Sequence, residues 1–116
     1  HIAYCFTSIT GYQKIGSYNG SGATGNVINV GFKPRFILLK NTSSGTNSNG
    51  WFMFDTVLSG SDVINVNLQA QDSGAESGPY AYTITVSNTG FEPTGSFANF
   101  LGTNASGNTY IYLAIA

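Results

Sequence analysis

The chain has 116 residues, enough for one domain, and its 41% hydrophobic and 14% aromatic content can fill a core. Only 8% of its residues are charged, against about 25% in ordinary globular proteins. A net charge of −1 with four basic residues argues against nucleic-acid binding, because phosphate recognition needs clustered Lys and Arg. The single cysteine, Cys5, excludes an intrachain disulfide and a cysteine-rich zinc site.

No apolar run approaches the ~18 residues of a membrane span, and no signal-peptide pattern is visible. The sequence starts at His1, so a processed chain or a piece of a longer polypeptide is expected. With so little charge, the polar surface must come from Ser, Thr, Asn and Gly. Such a surface offers little repulsion between copies. It suits an extracellular or particle-bound protein packed against neighbours.

Residues 1–6 read as a first strand, with Cys5 as a small buried residue. Residues 11–18 alternate loosely, with Tyr12, Lys14, Gly16 and Tyr18 on one face. Asn19-Gly20 is a hairpin turn signal, and residues 21–25 extend it. A short strand follows at 26–30. Pro34 cannot donate to a ladder, so it belongs at the first residue of a strand or at an edge.

The centre of the sequence is residues 31–55. Phe36-Ile37-Leu38-Leu39 is an unbroken apolar run, which reads as a strand buried on both faces. Residues 41–50 form a polar loop without an apolar residue. Trp51-Phe52-Met53-Phe54 is a second apolar run, too short for a helix. The pair reads as an antiparallel hairpin with a long tip. It holds the only Trp, the only Met and three of the eight Phe, so it is expected at the centre of the core.

Residues 56–61 turn. Residues 63–70 have period two, with Ile64, Val66, Leu68 and Ala70 inward and Asn65, Asn67 and Gln69 outward. Residues 71–79 read as a loop. Residues 80–87 alternate again, Tyr80, Tyr82, Ile84 and Val86 against Ala81, Thr83, Thr85 and Ser87. Residues 88–93 read as a turn, 96–101 as a short strand and 104–108 as another turn. Residues 109–116 close the chain, apolar on both faces, and are expected in the middle of a sheet. No ten-residue segment carries a helical period. The fold expected is all-β, an antiparallel β-sandwich, jelly-roll-like, of about seven to nine short strands in a single domain over 1–116.

Residues 1–6 also echo Tyr110-Ile111-Tyr112-Leu113-Ala114-Ile115 in length and pattern. Two buried strands often look alike; the sharper reading is one unit of a tandem array.

The inventory for acid–base chemistry is one His and five carboxylates. His1 and Cys5 share a strand face but stand roughly 13 Å apart at about 3.3 Å per residue, too far for a dyad. Asp55, Asp62, Asp72, Glu76 and Glu92 could contain a glycosidase pair, but all except Asp55 fall in or beside loops, where carboxylates are normally solvated. Asp62 with Asn65, or Asp72 with Glu76, could ligate calcium, yet no calcium-loop pattern is present. No glycine cluster leads into a helix, so a phosphate cradle has no support. The expectation is a non-catalytic protein without a cofactor or metal. Sequons occur at Asn19, Asn41 and Asn104, as chance provides in a chain this rich in Asn, Ser and Thr.

Carbohydrate binding needs an exposed aromatic platform beside amides. Trp51, next to Asn41, Asn47 and Asn49, could supply one, and so could Tyr12 and Tyr18. The plainer readings are Trp51 as a core anchor and the two tyrosines as sheet packing.

Several strings resemble a module of tailed-phage virion proteins, a domain of unknown function common in marine phages. They are Tyr4-Cys5-Phe6, Gly11-Tyr12, Ile15-Gly16-Ser17-Tyr18 with Gly20, and the run from Gly31 through Lys40. Trp51 to Asp55, Asn88-Thr89-Gly90-Phe91 and the ending from Asn104 to Ala116 continue the likeness. It covers nearly the whole chain in order and departs in the middle, where the segment after Asp55 is shorter and less charged than in that module. The resemblance implies a virion location, homo-oligomeric assembly with identical copies and other virion proteins, and contact with a host-surface glycan; it brings no catalytic residues. The functional expectation is therefore a tail-fibre, head-fibre or capsid-decoration module. The alternatives are a carbohydrate-binding module of a secreted or surface protein, and a subunit of a non-viral extracellular filament or surface layer.

Overall fold

The computed structural model describes residues 7–23, 25–42, 51–64, 67–69, 83–94 and 103–116. Among them lie nine strands and a single helical turn. They are β1 (Gln13–Asn19), β2 (Ile28–Asn29), β3 (Phe36–Asn41), β4 (Trp51–Asp55), α1 (Thr56–Ser59), β5 (Val63–Ile64), β6 (Asn67–Gln69), β7 (Thr83–Val86), β8 (Gly90–Thr94) and β9 (Thr109–Ile115).

The strands form two antiparallel sheets, ordered β1-β9-β3-β4-β6 and β2-β8-β7-β5. The expected all-β sandwich is the fold observed. Strand alternation sends every second residue between the sheets. From the five-stranded sheet come Ile37, Leu39, Phe52, Phe54, Tyr110 and Ala114; from the other come Ile64, Ile84, Val86 and Phe91. The outer wrapping is that of a jelly roll: β1 pairs with β9 in one sheet and β2 with β8 in the other. It departs from that topology where β3 and β4 close as a hairpin within one sheet.

The closing strand β9 sits between β1 and β3, as expected. The hairpin of β3 and β4 is present, but its strands are not buried on both faces. Ile37, Leu39, Phe52 and Phe54 enter the core, whereas Phe36, Leu38, Trp51 and Met53 are only half-buried on the other side. Asn41 belongs to β3 and is buried, so the polar loop starts after it.

Three further expectations are corrected. Asn19-Gly20 does not turn a hairpin, because β1 and β2 lie in different sheets. Instead the chain crosses the sandwich there, with the Gly20 N–H donating to Asn108 O (2.8 Å). A Cβ on Gly20 would come within 2.1 Å of Ala105 O, so the close approach requires glycine. Residues 63–70 are not one strand: β5 joins the four-stranded sheet and β6 the five-stranded one, the chain crossing between them.

The expected turn at 88–93 is confined to its start, and Gly90–Thr94 is β8. Proline is tolerated there for a geometric reason. The Ser87 N–H donates to Gly90 O, which sets the alternation and turns the nitrogen of Pro93 away from β7. On that side β2 reaches only to the partners of Gly90 and Phe91, so no ladder bond is lost. The expected strands at 1–6 and 96–101, the loop at 71–79 and the internal echo lie outside the described residues.

Candidate functional site

Two places concentrate unusual side chains. The first is the end of the sandwich where β1 leaves and β9 begins. Tyr18 packs inward, its ring stacked on Tyr110 at 5.2 Å and edge-on to Phe91 at 6.0 Å. Its hydroxyl donates to Thr103 O. Burial pushes the Tyr18 phenol well above its ordinary value, and the adjacent Tyr110 adds to the shift.

Beside it, fully buried Asn104 ties two loops together. Its Oδ1 accepts from the Ser21 N–H (2.9 Å) and from Asn26 Nδ2 (2.7 Å). Its Nδ2 donates to Ala23 O (2.9 Å) and Ser21 Oγ (3.2 Å). With both ends of the amide engaged, this cluster holds the fold and offers nothing to a ligand.

The second place is the outer face of the five-stranded sheet. Register puts Ile15, Leu113, Leu38 and Met53 in one row across β1, β9, β3 and β4. Phe36 and Ile115 flank the row at one end, Ile111 and Trp51 at the other. All are half-buried except Ile111, which is 40% exposed. The ammonium of Lys40 lies 5.3 Å from the centre of the Trp51 ring, close enough for a cation–π contact. The other sheet presents Thr83, Thr85, Glu92 and Thr94 outward, with Val63 at its edge opposite Thr85, a mainly polar face. One sandwich thus has one apolar and one polar outer face.

The aromatic residues expected to offer a glycan platform, Trp51 in one reading and Tyr12 with Tyr18 in the other, lie apart on the sandwich. Tyr12 is 56% exposed and sits beside Ala116, whose N–H it accepts. Trp51 pairs with Lys40 near the opposite end of the strands, with β9 and β3 between. Asn41 is buried and Tyr18 is partly buried, its ring turned inward against the core. Asn47 and Asn49 lie outside the described residues. Trp51 is not the core anchor of the plainer reading.

Among the described residues, no three of His, Cys, Asp and Glu are grouped to hold a metal ion. Asp62 pairs with Lys33 (2.8 Å) with both side chains about half exposed, where such a pair contributes little. The Glu92 carboxylate accepts the Gly25 N–H, and that of Asp55 accepts the Val57 N–H. His1, Cys5, Asp72 and Glu76 lie outside the described residues.

The apolar outer face was missed as a site in the sequence. Its signal was the unbroken runs themselves, since an apolar residue at every position supplies both faces of a strand, and burial on both sides was the ordinary inference.

The geometry defines an antiparallel β-sandwich domain whose distinguishing surface is this apolar face. The chain belongs to the family described as "Domain of unknown function (DUF7483)", whose model matches residues 1–116. No curated protein and no solved structure matches it.

Proposed function

We propose that this domain is a non-catalytic structural module of a phage virion, in a tail fibre, a head fibre or a capsid decoration protein. It works by packing against copies of itself and other virion proteins, outside the host cell. The observation that carries the assembly reading is the apolar outer face of the five-stranded sheet, set against the polar face opposite. A contiguous, partly exposed apolar patch on a domain with so few charges marks an interaction surface. The virion location rests on the sequence resemblance above, which spans nearly the whole chain.

Host contact belongs to residues 43–50, between β3 and β4 in the sequence, which include Asn47 and Asn49. Replacing residues 43–50 by a short Gly/Ser turn leaves folding intact and reduces adsorption to the host. The location is tested with an antibody raised against the domain. Labelling of purified particles in negative stain is expected; unlabelled particles, together with no peptide of the domain in their mass spectrum, would sink the reading.

The surface positions of Trp51 and Tyr12 keep a carbohydrate-binding module as the second reading. It requires measurable glycan affinity in the isolated domain that Trp51→Ala removes without unfolding it.

A further inference from the structure

We propose that residues 1–6 pair antiparallel with the far edge of β1, as a further strand of the five-stranded sheet, and so close that edge to strands of other chains. Among the described residues β1 has a strand on one side only, β9. The Gly20 N–H donates to Asn108 O and the Ala116 N–H to Tyr12 O. Even-numbered residues of β1 therefore bond to β9, and the N–H and C=O groups of Gln13, Ile15, Ser17 and Asn19 point away from it. An open edge of this kind is a template for pairing with another chain.

Residues 7–9 already start along that edge. Ile9 and Gln13 exchange both backbone hydrogen bonds as an antiparallel bridge (2.7 and 2.9 Å). The Ile15 N–H then donates to Ser8 Oγ (3.1 Å), and the side-chain amide of Gln13 to Thr7 O (2.7 Å). The chain leading back from Thr7 thus runs beside β1 and against it. Ahead of it lie Ile15 C=O, the N–H and C=O of Ser17, and the Asn19 N–H. Ile15 to Asn19 spans about 13 Å of strand and a six-residue strand reaches about 20 Å, so the segment is long enough.

Composition names the same place. The sheet is apolar on both faces at β1, with Tyr18 inside and Ile15 in the outer row. A strand added there needs apolar side chains at consecutive positions. Residues 1–6 supply them, with Ile2, Tyr4 and Phe6 on one face and Ala3 and Cys5 on the other. Their echo of Tyr110 to Ile115 gains a physical reason, because β9 holds the other side of β1 and meets the same two faces. Among the described residues the other edge strand of the sheet, β6, has three residues, and a short edge strand is a poor template. Growth of the sheet strand by strand is then blocked, and its outer face is left for contact with neighbours. None of this depends on the virion reading.

Amide hydrogen exchange on the 116-residue chain, followed by NMR, tests the proposal. The Ser17 N–H should exchange at least about a hundredfold slower than an open amide. Cross-strand nuclear Overhauser contacts should join residues 2–6 to residues 15–19. Alternate nitrogens of a strand face its neighbour, so of two consecutive prolines one must fall on the paired side. The double variant Ala3→Pro with Tyr4→Pro should therefore free the Ser17 N–H, while the Gly16 and Tyr18 N–H groups, bonded to β9, stay protected. By light scattering it should associate at lower concentration than the wild type.

A Ser17 N–H that exchanges freely in the wild type would overturn the proposal. So would protection that both prolines leave in place, or protection that fades on dilution, the mark of another chain on the edge. A variant that frees Ser17 without gaining association would overturn the closing role. Should the double variant lose its fold, Ser17 exchange and the cross-strand contacts of the wild type decide alone.

Discussion

Tyr18 and Tyr110 are cross-strand partners whose rings lie stacked, 5.2 Å between centroids and 16° between planes. One comes from the first described strand and the other from the last. Their hydroxyls leave in different directions, Tyr18 donating to Thr103 O and Tyr110 accepting the Ala105 N–H. Tyr18→Phe keeps the stack and loses one buried hydrogen bond, so a loss of about 1–2 kcal/mol is expected. Tyr18→Ala also empties the ring's volume and should cost about 3–5 kcal/mol. Urea denaturation of the two variants checks the order.

The same pair sets an alkaline limit. The unfolded chain releases the Tyr18 proton near the ordinary tyrosine value of 10.0, while the folded chain holds it to higher pH. The unfolded state therefore binds fewer protons above that value, and unfolding gains as pH rises. This contribution is complete below pH 10 and is lost as pH climbs toward the folded value. Tyr112, also raised by burial, acts in the same direction. Melting temperature measured from about pH 8 to about pH 11 should fall only in the upper part of that range. A flat profile there would contradict the burial of Tyr18.

Asn104 is replaceable by neither an apolar nor an acidic residue. Asn104→Ala takes the acceptor from the Ser21 N–H and one of the two donors from Ala23 O and should cost about 2–3 kcal/mol. Asn104→Asp keeps the shape but cannot donate to Ala23 O, and it places a carboxylate in a fully buried site. It should be at least as damaging at neutral pH, and partly relieved in acid, where the carboxyl regains a proton. Thermal melts at neutral and acid pH separate the two variants.

Gly90→Ala should be among the most damaging single-methyl changes in the chain. The added Cβ would come within 2.0 Å of Ile28 O, a backbone atom that cannot turn away. A loss of at least about 2 kcal/mol is expected, with amide exchange at Ile28 and Asn29 accelerated more than in β3.

Adjacent residues of β4 should behave oppositely. Phe52 is in the core at 1% exposure, and Phe52→Ala should cost about 3–5 kcal/mol. Trp51 points to the outer face, so Trp51→Ala should cost only about 1 kcal/mol. As the only tryptophan, Trp51 also reports on the face it occupies.

The sequence made β3, β4, β7 and β9 legible because their alternation or unbroken apolar runs admit one backbone. It misled where a local signal had two physical solutions. Asn19-Gly20 suits a hairpin, but it also suits a sandwich crossing, and the choice depends on β9, far along the chain. Gly90 and Pro93 read as a turn because their usual penalty in a strand is high; the close approach of Ile28 O calls for glycine at 90, and the shortness of β2 frees position 93 for proline. The period-two pattern across Ile64 and Leu68 did not reveal that the chain changes sheet between them. Of the candidate contact residues, Trp51 and Tyr12 lie on the surface. Tyr18 and Asn41 are inward because the one residue of β9 that both are paired with, Tyr110, faces the core.

The pairing of β1 with β9 has a mechanical consequence. Gln13 is opposite Ile115, and the Ala116 N–H donates to Tyr12 O, so Tyr12 and Ala116 lie side by side. The rungs of an antiparallel ladder stand perpendicular to the strands. Tension drawn apart through Tyr12 and Ala116 would meet those rungs one after another and peel the strands open from that end, instead of shearing the whole ladder at once. A lone domain loaded this way is a zipper and yields at low force; any load-bearing strength must come from neighbours clamping the sheet from outside.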